Sequence, residues 1–144
     1  MTPKELRSKV AAAIAACEAK KAENVTVLEM DRATPSFTDY FVIVTGSNPR
    51  QMQAISDEVE QRLSKLGLRP AHVEGYNQAD WVLLDYVDFV VHIFSEKARH
   101  YYDLERLWKS AKRLQPAELT KARKATATRA HTATSRRPRR RTRP

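Results

Sequence analysis

The stretch from Ala79 to Phe94, Ala-Asp-Trp-Val-Leu-Leu-Asp-Tyr-Val-Asp-Phe-Val-Val-His-Ile-Phe, constrains the fold more than any other part of the chain. Two apolar runs, Trp81 to Tyr86 and Phe89 to Phe94, are separated only by Val87 and Asp88. So short a link predicts an antiparallel hairpin. With Val87-Asp88 as the loop, Tyr86 faces Phe89, Leu84 faces Val91 and Val82 faces Ile93, a wholly apolar surface that belongs in a core. The opposite surface pairs Asp85 with Val90, Leu83 with His92 and Trp81 with Phe94. Asp85 and His92 are costly to bury without hydrogen-bond partners, so this mixed face is expected to be partly exposed, with ordinary core as the competing reading.

The remaining segments frame that hairpin. Thr2-Pro3-Lys4-Glu5 supplies a capping hydroxyl, a proline for the first helical position and a glutamate three residues on. The stripe Leu6, Val10, Ala13, Ile14 and Cys17 then predicts an amphipathic helix. Val25 to Met30 reads as a strand, Thr34-Pro35-Ser36 as a loop, and Tyr40 to Val44, apolar throughout, as a central strand covered on both faces. Ser47 or Asn48 can cap a second helix begun by Pro49, striped by Met52, Ile55, Val59, Leu63 and Leu66 and stopped at Gly67. Ala71 to Glu74 is a short strand, and the strand-helix-strand order favours parallel pairing across the crossover. After the hairpin, Ser95-Glu96 starts one helical segment and Asp103 caps another holding Leu104, Leu107, Trp108 and Ala111, expected to fold back on the sheet. The fold class is therefore α/β: a mixed sheet of about five strands with packed helices. The domain is expected over residues 1–116, followed by a basic tail over 117–144.

Charge divides sharply along the chain. The net charge is +9, yet residues 1–120 hold 16 Lys and Arg against 17 Asp and Glu, while residues 121–144 hold 10 basic residues and no acidic one. The tail is almost devoid of large apolar side chains and is expected to be disordered alone. Its run Arg136, Arg137, Pro138, Arg139, Arg140, Arg141 suits RNA backbone contact, with a solubilising terminus as the alternative. Cys17 is the one cysteine, which fits a reducing cytoplasm. No secretion signal and no membrane-spanning run is legible.

Candidate chemistry is sparse. Thr45-Gly46-Ser47 lies between a strand and a helix, where phosphate can bind, but it lacks the glycines and lysine of a P-loop and reads better as a turn with a cap. Asp80, Asp85 and Asp88 evoke metal-binding carboxylates, yet Asp85 and Asp88 are three apart and flank a turn rather than converging on one side of a strand. His92 forms no metal-ligand spacing with His72, His100, His131 or Cys17. No residue is expected to be catalytic, and no metal or cofactor is implied. Trp81 fits a core or an interface centre equally. Arg99, His100, Tyr101 and Tyr102 form an Arg-aromatic cluster that either frames a partner site or stacks on its own domain.

Six blocks in one order carry a resemblance: Asp39 to Gly46, Arg50 to Ile55, Glu74-Gly75, Ala79 to Tyr86, Val91 to Phe94 and Tyr102 to Trp108. With these the chain resembles the ribosomal silencing factor (RsfS, or Iojap-like) family over roughly Lys4 to Trp108. The resemblance implies a domain of nucleotidyltransferase-like topology without that fold's catalytic acids. It also implies a protein that binds large-subunit ribosomal protein fourteen, blocks joining of the small subunit and represses translation when nutrients are short. Combined with the hairpin's mixed face, this makes Trp81, Leu83, Asp85, Tyr86, Asp88, His92 and Arg99 the expected partner-binding residues. The basic tail lies outside the family's common core, and its contact with ribosomal RNA through Arg136, Arg137, Arg139, Arg140 and Arg141 is expected from charge alone. A homodimer of the free protein is compatible with the family. A nucleotidyltransferase-like enzyme and a tail-driven RNA binder are the alternative readings. One departure stands out: the family usually has glycine where this chain has Val87, and a β-branched residue resists the positive φ of a primed turn.

Overall fold

The computed structural model describes residues 1–30 and 38–119. The expected loop at Thr34-Pro35-Ser36 and the basic tail from Lys121 lie outside the described residues. The elements, in chain order, are α1 (Pro3–Ala19), β1 (Glu23–Glu29), β2 (Tyr40–Gly46), α2 (Pro49–Lys65), β3 (His72–Glu74), β4 (Trp81–Asp85), β5 (Phe89–Ser95), α3 (Glu96–Tyr102), α4 (Leu104–Leu107) and β6 (Lys112–Leu114). They build a six-stranded mixed sheet in the order β3-β4-β5-β2-β1-β6.

The helices start where their side chains satisfy backbone donors. Thr2 Oγ1 accepts from the Glu5 amide at 3.1 Å, Asn48 Oδ1 from the Gln51 amide at 2.8 Å, and Ser95 Oγ from the Ala98 amide at 3.1 Å, each filling one of the orphan N–H positions of a first turn. Gly67 takes a φ of +82° just past α2, the left-handed stop that glycine adopts without a Cβ clash. Asp103 departs from expectation: it joins α3 to α4 with a φ of +48°, and its side chain makes no capping hydrogen bond.

The hairpin register is the expected one. Val82 pairs with Ile93, Leu84 with Val91 and Trp81 with Phe94. The apolar surface of Val82, Leu84, Tyr86, Phe89, Val91 and Ile93 is buried with Val10, Ile14, Val42, Ile55 and Val59, under α1 and α2. Each fully buried aliphatic side chain there contributes about 1.5–3 kcal/mol. The β2 strand is central, flanked by antiparallel β1 and parallel β5. The crossover from β2 through α2 therefore does not deliver a neighbour: β3 runs parallel to β2 but lies at the sheet edge, paired only with β4 among the described residues.

Two corrections concern the chain after the hairpin. Lys112–Leu114, which carries no apolar run, adds a sixth strand by pairing antiparallel with β1. Leu119 is 2% exposed within the main core, so packing continues past the boundary expected at Pro116.

Candidate partner-docking surface

A β-strand sends alternate side chains to opposite faces, so one sheet face carries Val82 and Leu84 and the other carries Trp81, Leu83 and Asp85. On this second face Leu28, Met30, Ile43, Phe94, Ala98 and Leu104 form a smaller core, with Phe41, Trp81, Trp108 and Ala111 packed at its margin. The α3–α4 cover lies over β1, β2 and β5 and meets β4 at Trp81, where Tyr102 at the end of α3 packs on the indole. Trp81, Leu83 and Asp85 are consequently half-buried, whereas Val90, His92 and Phe94, one strand inward, are buried.

Trp81 is held in place from three sides. Its Nε1–H donates to His92 Nδ1 at 3.1 Å, its ring lies 4.9 Å from Phe94, and Tyr102 packs 4.6 Å away. Because Nδ1 is the acceptor, the neutral imidazole carries its proton on Nε2. That Nε2 is buried and makes no hydrogen bond among the described residues; the ring sits edge-on to Phe41 at 4.6 Å. Burial pushes the His92 pKa down to about 3, so the ring stays neutral and serves as a fixed acceptor.

The sequence-expected site residues divide accordingly. Trp81, Leu83 and Asp85 form one half-exposed row. Asp85 Oδ1 accepts from the Val87 amide at 2.8 Å, so this carboxylate also braces the turn. There the Asp88 amide donates to the Tyr86 carbonyl at 2.8 Å and Val87 takes a φ of +72°, a three-residue γ-turn of the strained sign. Asp88 lies at the far end of the hairpin from Trp81, lining a crevice with Met1, Pro3, Leu6 and Tyr40.

Two residues expected at the partner surface, Tyr86 and His92, sit in the interior, and a third, Arg99, is half-buried with its guanidinium engaged by its own domain. Tyr86 is 4% exposed and its hydroxyl is buried with no hydrogen-bond partner among the described residues, because residue 86 follows the parity of Val82 and Leu84 onto the face under α1 and α2. His92 is 4% exposed and reaches the surface only through Trp81. Arg99 is turned inward: its guanidinium donates to Thr45 Oγ1 at 2.9 Å, Thr26 Oγ1 at 3.0 Å, Glu105 Oε2 at 2.9 Å and the Asn24 carbonyl. This charged fork ties α3 and Glu105 to the bulged start of β1, and its donors are spent there.

Sequence reasoning missed part of the exposed surface. Leu107, expected on an inward stripe, is 70% exposed because α4 is a single turn. Tyr101 is 80% and Tyr102 47% exposed; the Arg-aromatic cluster flagged them but not their separation from the inward Arg99.

The turn after β2 offers little to an anion. The Ser47 amide donates to Gln51 Oε1 at 2.6 Å, and a Cβ on Gly46 would lie 2.6 Å from Met52 Cγ. A side chain at residue 46 would therefore have to displace the buried Met52 side chain, while the α2 backbone lies at ordinary contact distance. Among the described residues no three His, Cys, Asp or Glu side chains are grouped as metal ligands, and no helix is long and apolar enough to cross a membrane.

Comparison with known proteins places this geometry in a family. The family model described as ribosomal silencing factor during starvation matches residues 3–142. The ribosomal silencing factor RsfS of Bacillus subtilis is 40% identical over 99 residues, covering 69% of this chain and 83% of that protein. A crystal structure of a Chromobacterium violaceum protein superposes with a TM-score of 0.68 at 31% identity, covering 71% of this chain and 84% of the other. A second, from Bacillus halodurans, does so with a TM-score of 0.64 at 39% identity, covering 74% and 95%.

Proposed function

The chain belongs to the ribosomal silencing factor family, and from that premise we propose that it represses translation by docking the Trp81–Leu83–Asp85 row on large-subunit ribosomal protein fourteen. The small subunit then meets an occupied surface, and no chemical step is involved. One observation carries this reading: α3 touches β4 only where Tyr102 packs on Trp81, and Trp81, Leu83 and Asp85 stay half-exposed, so a prealigned indole and a leucine remain available to a partner. A large aromatic side chain beside an aliphatic one, rimmed by a carboxylate, is the composition of an interface hot spot. His92 and Phe94 hold the indole in one orientation, which lowers the entropy cost of docking. The same patch on a second copy offers a homodimer in the free protein that competes with the ribosome. Residues 121–144, with 10 basic and no acidic side chains, add contact to neighbouring ribosomal RNA. The reading places the protein in the cytoplasm with its target.

The test is co-sedimentation with purified large subunits. Trp81→Glu loses binding while keeping its far-UV circular dichroism and a cooperative, though lowered, melting transition; a folded variant that still co-sediments refutes the assignment of the face. Removing residues 121–144 lessens the salt dependence of binding, and an unchanged slope refutes the tail's role.

A further inference from the structure

We propose that the folded domain itself contacts single-stranded RNA through its α3–α4–β6 end, with Tyr101 as a stacking platform and Lys97, Arg106, Lys109 and Lys112 as backbone contacts. This site is distinct from the Trp81 row and from the tail, and it does not depend on the docking proposed above.

The first observation is how charge divides against the fold. Residues 1–96 carry 10 basic and 14 acidic side chains, whereas residues 97–144 carry 16 basic and 3 acidic. The change of sign falls inside the folded domain, at the start of α3, well before the tail. Lys97, Arg106, Lys109 and Lys112 are all exposed. The acids among them are largely occupied: Glu105 Oε2 accepts from Arg99 at 2.9 Å and from Arg113 at 3.0 Å. Asp103 is half-buried at the α3–α4 junction. Glu96 and Glu118 are also exposed, Glu118 Oε2 accepting from the Gln115 amide, but Lys97, Arg106, Lys109 and Lys112 outnumber them, so the side facing solvent is net cationic, the sign that draws a phosphate backbone.

The second observation is Tyr101, 80% exposed on the last turn of α3. It follows Lys97 by four residues, so the two share one side of the helix. The neighbouring Tyr102 is packed on Trp81 at 4.6 Å and meets Tyr101 edge-to-face at 5.0 Å and 88°, so the Tyr101 ring is propped while standing out from the domain. Tyr102 and Leu107 add exposed apolar surface to this end of the domain, but the exposed Lys97, Arg106 and Lys109 interleaved with them in sequence would have to be desolvated to seal a protein contact. An unpaired base, in contrast, needs only one open π-face and adjacent cations. Paired bases are already stacked on one another, which favours a single-stranded segment.

The experiment titrates the full chain against a fluorescently labelled single-stranded oligonucleotide and follows anisotropy at several salt concentrations. Wild type binds; Tyr101→Ala weakens binding about five-fold or more at every salt, with the slope of log affinity against log salt unchanged, and Tyr101→Phe restores it. The double variant Lys97→Ala, Lys109→Ala makes the slope shallower by about 0.7 for each phosphate that is no longer neutralised. Leu83→Glu, in the docking row but paired with Glu74 and His92 rather than with Tyr102, keeps its oligonucleotide affinity even where it no longer co-sediments with large subunits, which separates failure of this inference from failure of the docking reading. The inference is overturned if the chain does not bind the oligonucleotide. It is overturned equally if Tyr101→Ala binds as wild type at every salt, the tail then accounting for all the affinity. Loss of large-subunit binding by Tyr101→Ala with oligonucleotide affinity intact would make the ring a protein contact and also overturn it.

Discussion

Replacing His92 by glutamine isolates the one titratable group buried behind the docking face. In the folded protein its ring is 4% exposed and burial lowers its pKa to about 3, whereas in the unfolded chain it titrates near its ordinary value of about 6.5. Between those two values the unfolded chain binds the proton and the folded chain does not. This group's contribution to stability is therefore complete above about pH 6.5 and falls as the pH is lowered toward 3. Each pH unit in that window corresponds to about 1.4 kcal/mol, so by pH 5 the loss is about 2 kcal/mol. The substituted glutamine keeps a carbonyl that can accept from the indole but has no proton to take up. Urea unfolding of wild type and His92→Gln at pH 7.5 and pH 5.0 reads the effect as a difference of differences, in which the carboxylates and the other histidines cancel. Wild type loses about 2 kcal/mol more than the variant between the two pH values. Equal losses in the two proteins would refute the neutral, buried imidazole as the support of Trp81. An accompanying change in tryptophan emission on acidification, absent from the variant, locates the event at the Trp81–His92 bond.

Two further outcomes follow from the geometry. Val87→Gly removes a β-branched residue from a φ of +72°; relief of about 1–3 kcal/mol of strain outweighs about 0.4–1 kcal/mol of added unfolded-state entropy, so the urea midpoint rises by the equivalent of about 1 kcal/mol. A lowered midpoint would show that the turn is not strained. Arg99→Lys removes most donors from Thr26, Thr45 and Glu105 and lowers stability by about 2–4 kcal/mol, while the folded fraction still co-sediments with large subunits. Loss of binding at unchanged stability would instead return Arg99 to the partner surface.

The hairpin was legible because its signals are local: two apolar runs and a two-residue link admit one register, and that register places Val82, Leu84, Val91 and Ile93 on one face. The capped starts at Thr2, Asn48 and Ser95 were equally readable, since a side chain and the amide it satisfies lie within three residues. Motif order also pointed to the family. Other features depend on contacts between distant segments. Lys112–Leu114 becomes a strand because β1 has a free edge, not because its residues favour one. Arg99 and Tyr101 looked like parts of one cluster until tertiary packing turned the first toward Thr26 and Thr45 and left the second in solvent. The mixed hairpin face could be read as core or as surface because its pattern fits both; how far α3 and α4 extend over the sheet decided it. By covering β5 fully and touching β4 only where Tyr102 meets Trp81, they bury His92 and leave Trp81 half-exposed, so one face with one alternation serves as core on one strand and as candidate surface on the next. Periodicity assigns a side chain to a face, but exposure depends on which other element lies over that face, and this is a property of the whole fold.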